Sequence, residues 1–195
     1  MNMRSIVTAA VLLSFGIALP QLADAQPQLP RKAPELTIAE PSGHSTLLSS
    51  YRGKVVVIAF INTGCPHCQH QCEMMTQLYK ETKASGVQML AVAFNDNAAA
   101  LVPAFVRDFQ VGFPVGSAML DTFVNFMGFS FLDRPVVPQV VVIDRKGMIR
   151  AQSPPQGDAN LQDAAFLKNL IGTLAKEGAT TTTSKASPKT SSNLH

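Results

Sequence analysis

Apolar positions along this chain fall into runs of two kinds. Val55–Ile61 is apolar without interruption and rich in β-branched side chains, which predicts a strand buried on both faces of a helix-covered sheet. Residues 87–94 and 140–143 predict two more strands, and Asp144-Arg145-Lys146-Gly147 reads as a hairpin turn into a partner strand over 148–151. The other kind has helical spacing. Cys68, Cys72, Met75 and Tyr79 recur at i, i+4, i+7 and i+11 and predict a helix over about 65–84, closed by Ser85-Gly86. A second helix is expected over about 98–110, capped from Asn95-Asp96-Asn97, with Pro103 in its first turns. A third is expected over 119–127. A fourth, over about 160–175, should bury Leu161, Ala165, Leu167, Leu170, Ile171 and Leu174. Short extended pieces over 36–39 and 46–51 flank the turn Pro41-Ser42-Gly43; residues 113–115 read as extended and 129–137 as irregular. The order β–β–β–α–β–α–α–β–β–α gives an α/β fold with a mixed sheet, parallel around the first helix and antiparallel at the late hairpin.

The two ends read differently from the middle. Arg4, an apolar stretch over 6–19, Pro20 and Ala23-Asp24-Ala25 make residues 1–25 a secretory signal peptide cut before Gln26. The apolar stretch is short of the roughly 20 residues that span a bilayer, so an uncleaved anchor is the weaker alternative. With no Cys before Cys65, a lipid-modified cysteine anchor is excluded. Residues 26–34 carry Pro27, Pro30 and Pro34 and read as an extended linker. Residues 177–195 are rich in Thr, Ser and Lys and read as a disordered tail. One domain over 35–176 remains, expected in the periplasm or another extracytoplasmic space.

Composition narrows the function. A formal charge of +3 and the lack of a basic-aromatic patch argue against nucleic acid as a partner. The cysteines are Cys65, Cys68 and Cys72, clustered rather than spread as in a stapled secreted domain. Cys65-Pro66-His67-Cys68 stands where the first buried strand meets the first helix. A helix N-terminus offers free N–H groups and positive partial charge, and both favour a thiolate at Cys65. Pro66 suits the first helical position, and a charged His67 would add to the effect. Cys68, one turn along, is placed to attack a mixed disulfide on Cys65. The alternative is a metal pair drawing on Cys65, Cys68, Cys72, His67 and His70. A structural zinc site would need a second ligand pair, which the sequence does not offer, so no cofactor or metal is expected. Cys72 reads as a small buried residue, the sharper alternative being a backup resolving thiol. His70 reads as lying on the solvated face and His44 in a turn, and neither takes a role. Pro138, just before an apolar strand, is on residues alone as compatible with a trans turn as with a cis bond.

These segments together resemble the thioredoxin superfamily, and most closely its exported TlpA/ResA-type branch, over about 33–175. The resemblance rests on Gly53-Lys54-Val55-Val56-Val57, Cys65-Pro66-His67-Cys68, the helical insert ending Val111-Gly112-Phe113-Pro114-Val115, and Val137-Pro138-Gln139-Val140 running on to Gly147. It implies a thioredoxin-like fold with an N-terminal β extension and a helical insert. It also implies a cis Pro138 packed against the cysteines, with the backbone beside it pairing with substrate. The site it implies is Cys65, Pro66, His67, Cys68 and Pro138, with Val137 and Gly64 toward substrate. Three departures stand out. Gly64 replaces the family's usual Trp, Ala59 stands where thioredoxins often bury an Asp, and Asn97, beside Asp96, falls near the acidic residue that tunes the ResA type. The Pro-His pair and Val137 are like those of disulfide-oxidising DsbA proteins, whose large helical domain is missing here. The activity implied is thiol–disulfide oxidoreductase, its direction open. The partners implied are thiols or disulfides of exported proteins, such as apocytochrome c or copper-site proteins, with a membrane electron donor or acceptor. Two competing functions are a thiol peroxidase and a non-enzymatic copper chaperone. Against the first, Ile58 and Asn62 replace the Pro and Thr/Ser of the peroxidase motif; against the second, the cysteine spacing is one residue short.

Overall fold

The computed structural model describes residues 27–130 and 132–177. The signal peptide expected over 1–25, and residues 178–195 of the expected tail, lie outside these. The strands are β1 (Arg31–Lys32), β2 (Thr37–Ala39), β3 (Ser45–Leu47), β4 (Val55–Ile61), β5 (Val87–Ala93), β6 (Val115–Ser117), β7 (Gln139–Ile143) and β8 (Met148–Gln152). The helices are α1 (Pro66–Thr82), α2 (Ala98–Asp108), α3 (Leu120–Met127) and α4 (Ala164–Glu177), with 3-10 turns at Leu48–Tyr51 and Lys83–Ser85.

All strands join one mixed sheet in the order β1-β8-β7-β4-β5-β6-β2-β3. The unbroken apolar run of β4 has its cause in this position: every one of its residues is buried, because both faces are covered. Val55, Val57, Ala59 and Ile61 pack with α1, α2 and α4. Val56, Ile58 and Phe60 pack with Phe123 and Phe126 of α3 and with Leu36 and Ile38 near the N-terminus. β4 runs parallel to β5, from Val55 opposite Val87 to Ile61 opposite Ala93. β7 is antiparallel to β4, with Gln139 opposite Phe60. Residues 137 and 138, which precede β7, therefore stand at the same sheet edge as residues 62–65, which follow β4.

Expected and observed elements differ where tertiary contacts decide. Arg31–Lys32, inside the stretch read as a linker, pairs antiparallel with β8. The Arg31 guanidinium donates to the Phe126 carbonyl at 2.8 Å and to Gln152 Oε1 at 2.6 Å. Flanking prolines suggest a linker, yet an outermost strand uses its donors on one side only, so Pro30 and Pro34 do not prevent pairing. β6 emerges from a piece read only as extended, and Gly116 within it is required by close approach. A Cβ there would lie 2.4 Å from Ile38 Cγ2 and 2.6 Å from the Ala39 carbonyl. Pro103 is the sixth residue of α2, beyond the turn where its missing N–H costs nothing. Asn97 precedes α2 in a left-handed conformation (φ 58°) and makes no side-chain cap bond. α4 begins at Ala164 instead of near 160, because Asp163 Oδ1 accepts the Phe166 N–H at 2.8 Å and starts the helix there. Leu161, Leu167, Ile171 and Leu174 are buried as expected, Leu170 partly so, and Ala165 is exposed.

Gly116→Ala is predicted to lower stability by about 1–3 kcal/mol through overpacking against β2, read as a lower urea midpoint. Gly64→Ala, with only an ordinary 3.6 Å contact to Asn62 Oδ1, should leave the midpoint within error.

Candidate redox-active site

The site is built where β4 runs out. After Ile61, residues 62–64 turn the chain into α1, with Cys65 in extended conformation (φ −89°, ψ 119°) as N-cap and Pro66 at the first helical position. Side chains from three segments hold this turn. Asn62 Oδ1 accepts the Gly64 N–H at 2.9 Å, Asn95 Oδ1 accepts the Thr63 N–H at 3.0 Å, and Gln69 donates to the Thr63 carbonyl at 3.2 Å. Among the described residues, the first turn of α1 has no acidic side chain, and Cys65 makes no side-chain cap bond.

All three thiols are free; Cys65 is half-buried, and Cys68 and Cys72 are fully buried. Cys68 lies within hydrogen-bond reach of Cys65, and its sulfur accepts the Asn62 N–H at 3.5 Å. Burial pushes the Cys68 thiol far up, Cys65 and Cys72 add to the rise, and the Asn62 N–H partly offsets it. From the neighbouring strand, the Val137 carbonyl accepts from Cys65 Sγ at 3.9 Å, and the Val137–Pro138 bond is cis. Pro138 is buried beneath this contact. Gln139, fully buried, ties the loop down: its amide donates to the carbonyls of Val136 at 2.8 Å and Pro154 at 3.1 Å. Ser153 Oγ accepts the Val140 N–H at 3.0 Å and braces β7 from the other side.

The AhpC/TSA family profile matches residues 29–152, well over half of the chain and the whole stretch from Asn62 to Val140. The chain belongs to the AhpC/TSA family. It is 30% identical over 118 residues to the thiol-disulfide oxidoreductase ResA of Geobacillus kaustophilus, a match covering 60% of this chain and 64% of that protein. It is 33% identical over 90 residues to ResA of Bacillus subtilis, covering 46% and 48%. Its fold is that of a thiol:disulfide interchange protein of the thioredoxin family from Chlorobium tepidum, with a TM-score of 0.62 at 21% identity over 76% of this chain and 99% of the other. The fold is thioredoxin-like, and the chain is a TlpA/ResA-like member of that superfamily.

Within this family setting, the structure brings Cys65, Cys68 and Val137 together, with Pro138 beneath. Gly64, Pro66 and His67 lie exposed beside them. Ala59 is fully buried on the α1 face, and no carboxylate acts on Cys68 among the described residues. Asp96 and Asn97 sit exposed ahead of α2. His70 is exposed, and His44 meets Ser42 in its turn. Among the described residues no cluster of three or more His, Cys, Asp or Glu could hold a metal ion. The bracing roles of Asn62, Gln69, Asn95, Gln139 and Ser153 were not read from the sequence. Only Gln139 left a visible signal, as the one polar residue between Val136 and Ile143.

Burial, with a smaller push from Glu73, raises the Cys72 thiol to about 12. An exposed thiol ionises near about 8.5, so the unfolded chain loses this proton first. Stability from Cys72 is intact below that pH and falls as pH climbs toward 12. Between pH 7.5 and 10, Cys72→Ala should lose about 2 kcal/mol less unfolding free energy than the wild type, as read from urea titrations at both pH values.

Proposed function

We propose that the chain catalyses thiol–disulfide exchange on exported proteins, with Cys65 as nucleophile and Cys68 as resolving thiol. The observation that carries this reading is the pairing of a half-exposed thiol at the N-cap position with a buried one, facing the Val137 carbonyl at 3.9 Å. The ResA relatives, named as oxidoreductases of this chemistry, support it.

The Cys65 thiolate attacks a substrate disulfide, forming a Cys65–substrate bond and expelling the substrate's other sulfur as a thiolate. Cys68 then attacks Cys65 Sγ, closing the Cys65–Cys68 disulfide and releasing the second substrate thiol. Cys68 must give up its proton in that step. With Ala59 beneath and no carboxylate at hand, the proton leaves with the departing substrate sulfur or through water. In reverse, the disulfide oxidises a substrate dithiol by the same steps. Substrate backbone would pair beside Pro138 at Val137. The partners are exported protein thiols or disulfides, of the kind found in apocytochrome c or copper-site proteins, and a membrane protein exchanges the electrons. The signal-peptide pattern over 1–25 supports an extracytoplasmic location, and no helix among the described residues is long and apolar enough to cross a membrane.

Cys68→Ser is expected to accumulate dithiothreitol-releasable adducts with protein substrates at Cys65, and Cys65→Ser to form none. Insulin reduction should fall to the uncatalysed rate in both. Adducts confined to Cys72, or wild-type turnover by Cys65→Ser, would sink the assignment. Peroxide consumption that needs Cys65 and not Cys68 would replace it with a thiol peroxidase. The Cys65–Cys68 potential, equilibrated against glutathione, gives the direction. A value near about −270 mV marks a reductase and one near about −120 mV an oxidant.

A further inference from the structure

Cys65 has different neighbours on its two sides, and the sheet order explains why. β4 lies between β7 and β5. On the β7 side stand Val137 and Pro138. On the β5 side a groove of about 330 Å³ opens between the 62–64 turn and α2, lined by Asn62, Gly64, Leu101, Ala104, Phe109 and Asp108 among others. Leu101 is 44% exposed, and Phe109 is half-buried. Leu101, Ala104, Phe105 and Phe109 give it an apolar wall along α2, faced by the polar Asn62, Thr63 and Asn95. Its one charged member is Asp108, which pairs with Arg107 at 2.9 Å, so the groove carries no net charge to attract an ion. The volume sits at the low end of the roughly 300–1,000 Å³ of ligand pockets, enough for a side chain rather than a large cofactor. The wall is preformed, because Asn95 and Asn62 pin the backbone of Thr63 and Gly64.

Gly64 keeps the mouth of this groove open, and its backbone gives no other reason to be glycine. Its φ lies outside the left-handed region, and a Cβ would meet only Asn62 Oδ1, at 3.6 Å. Gly116 is a contrast, since a backbone carbonyl excludes any Cβ there. A side chain at position 64 would stand over the entrance, one residue from the nucleophile.

We propose that this groove is a specificity subsite that takes a bulky apolar side chain flanking the reactive cysteine of a substrate protein. The proposal rests on the exchange reading above and deepens it by naming which cysteines are preferred. The covalent intermediate commits the occupant. A substrate sulfur bonded to Cys65 fixes its chain within a residue or two of Gly64. A chain lying against Val137 on one side continues over the groove on the other.

The test uses three peptides, Gly-Cys-Gly, Phe-Cys-Gly and Gly-Cys-Phe, each carried as a mixed disulfide with thionitrobenzoate. In a Cys68→Ser background, the Cys65 thiolate attacks the peptide sulfur, the Cys65–peptide disulfide forms, and the coloured thionitrobenzoate anion leaves with the electron pair. Its absorbance gives the rate. One of the Phe peptides should react about tenfold faster than the Gly peptide, the effect of burying part of an aromatic side chain. Filling the groove from either wall, with Gly64→Phe or with Ala104→Phe, should bring that ratio to about one. Equal rates for the three peptides, or a ratio that survives both filled variants, overturn the subsite and leave the exchange chemistry standing. Failure of every peptide to form an adduct overturns the exchange reading and the subsite with it.

Discussion

The register of β7 against β4 is the constraint on which the site depends. Gln139 opposite Phe60 puts the Val137 carbonyl at Cys65. A slip of one residue would turn every side chain of β7 to the other face. Hydrophobicity alone resists such a slip weakly here, because residues 140–143 are apolar on both faces. Polar contacts act on the other side of β7. Gln139 donates to the carbonyls of Val136 and Pro154, and Ser153 meets both the N–H and the carbonyl of Val140. These buried bonds fix β7 against the segment that follows β8, while its place beside β4 is held by the backbone ladder and by the contact of Val137 with Cys65.

Three thiols on one helix face are given different chemistry by depth alone. Positions 65, 68 and 72 follow helical spacing and all point toward the sheet. Cys65 escapes full burial because it is the cap, where the chain enters from the turn. Cys68 and Cys72 lie further along, under the sheet, where burial holds the thiol neutral. The difference in exposure between Cys65 and the two thiols behind it comes from where α1 starts. Pro66 and the bonds of Asn62, Gln69 and Asn95 fix that start.

The sheet's centre, α1 and the hairpin were legible in the sequence because each carries a period or a composition of its own. β4 is uninterrupted, α1 repeats at i, i+4 and i+7, and Asp144 to Gly147 is turn chemistry. The cysteine pair was legible for the same reason, as spacing at a strand–helix junction. β1 and β6 were not, since two or three residues beside prolines or a glycine become strands only by pairing with a neighbour already in place. Asn62, Gln69, Asn95 and Ser153 were not either. Their bonds run from side chain to backbone, locally for Asn62 and Gln69 and between distant segments for Asn95 and Ser153, and bonds of that kind leave no periodicity. Gly64 and Gly116 look alike in sequence, and only the atoms around each tell an optional glycine from a required one.

Exposed apolar side chains gather at the reactive end of the sheet. Leu101 lies in the helix that follows β5, Met119 and Leu120 follow β6, and Val136 precedes β7; all are substantially exposed. The opposite end, where β4 and β5 begin, is dressed with Lys54, Lys83, Arg145 and the Lys168–Glu81 ion pair. Solvation alone would not separate the two ends in this way, since nothing in a thioredoxin-like core requires Met119 at 73% exposure. Apolar surface left in water is covered with greater gain by a polypeptide than by a small solute, because the gain scales with the area covered. The distribution thus supports the protein substrate proposed above, on grounds independent of the cysteine spacing.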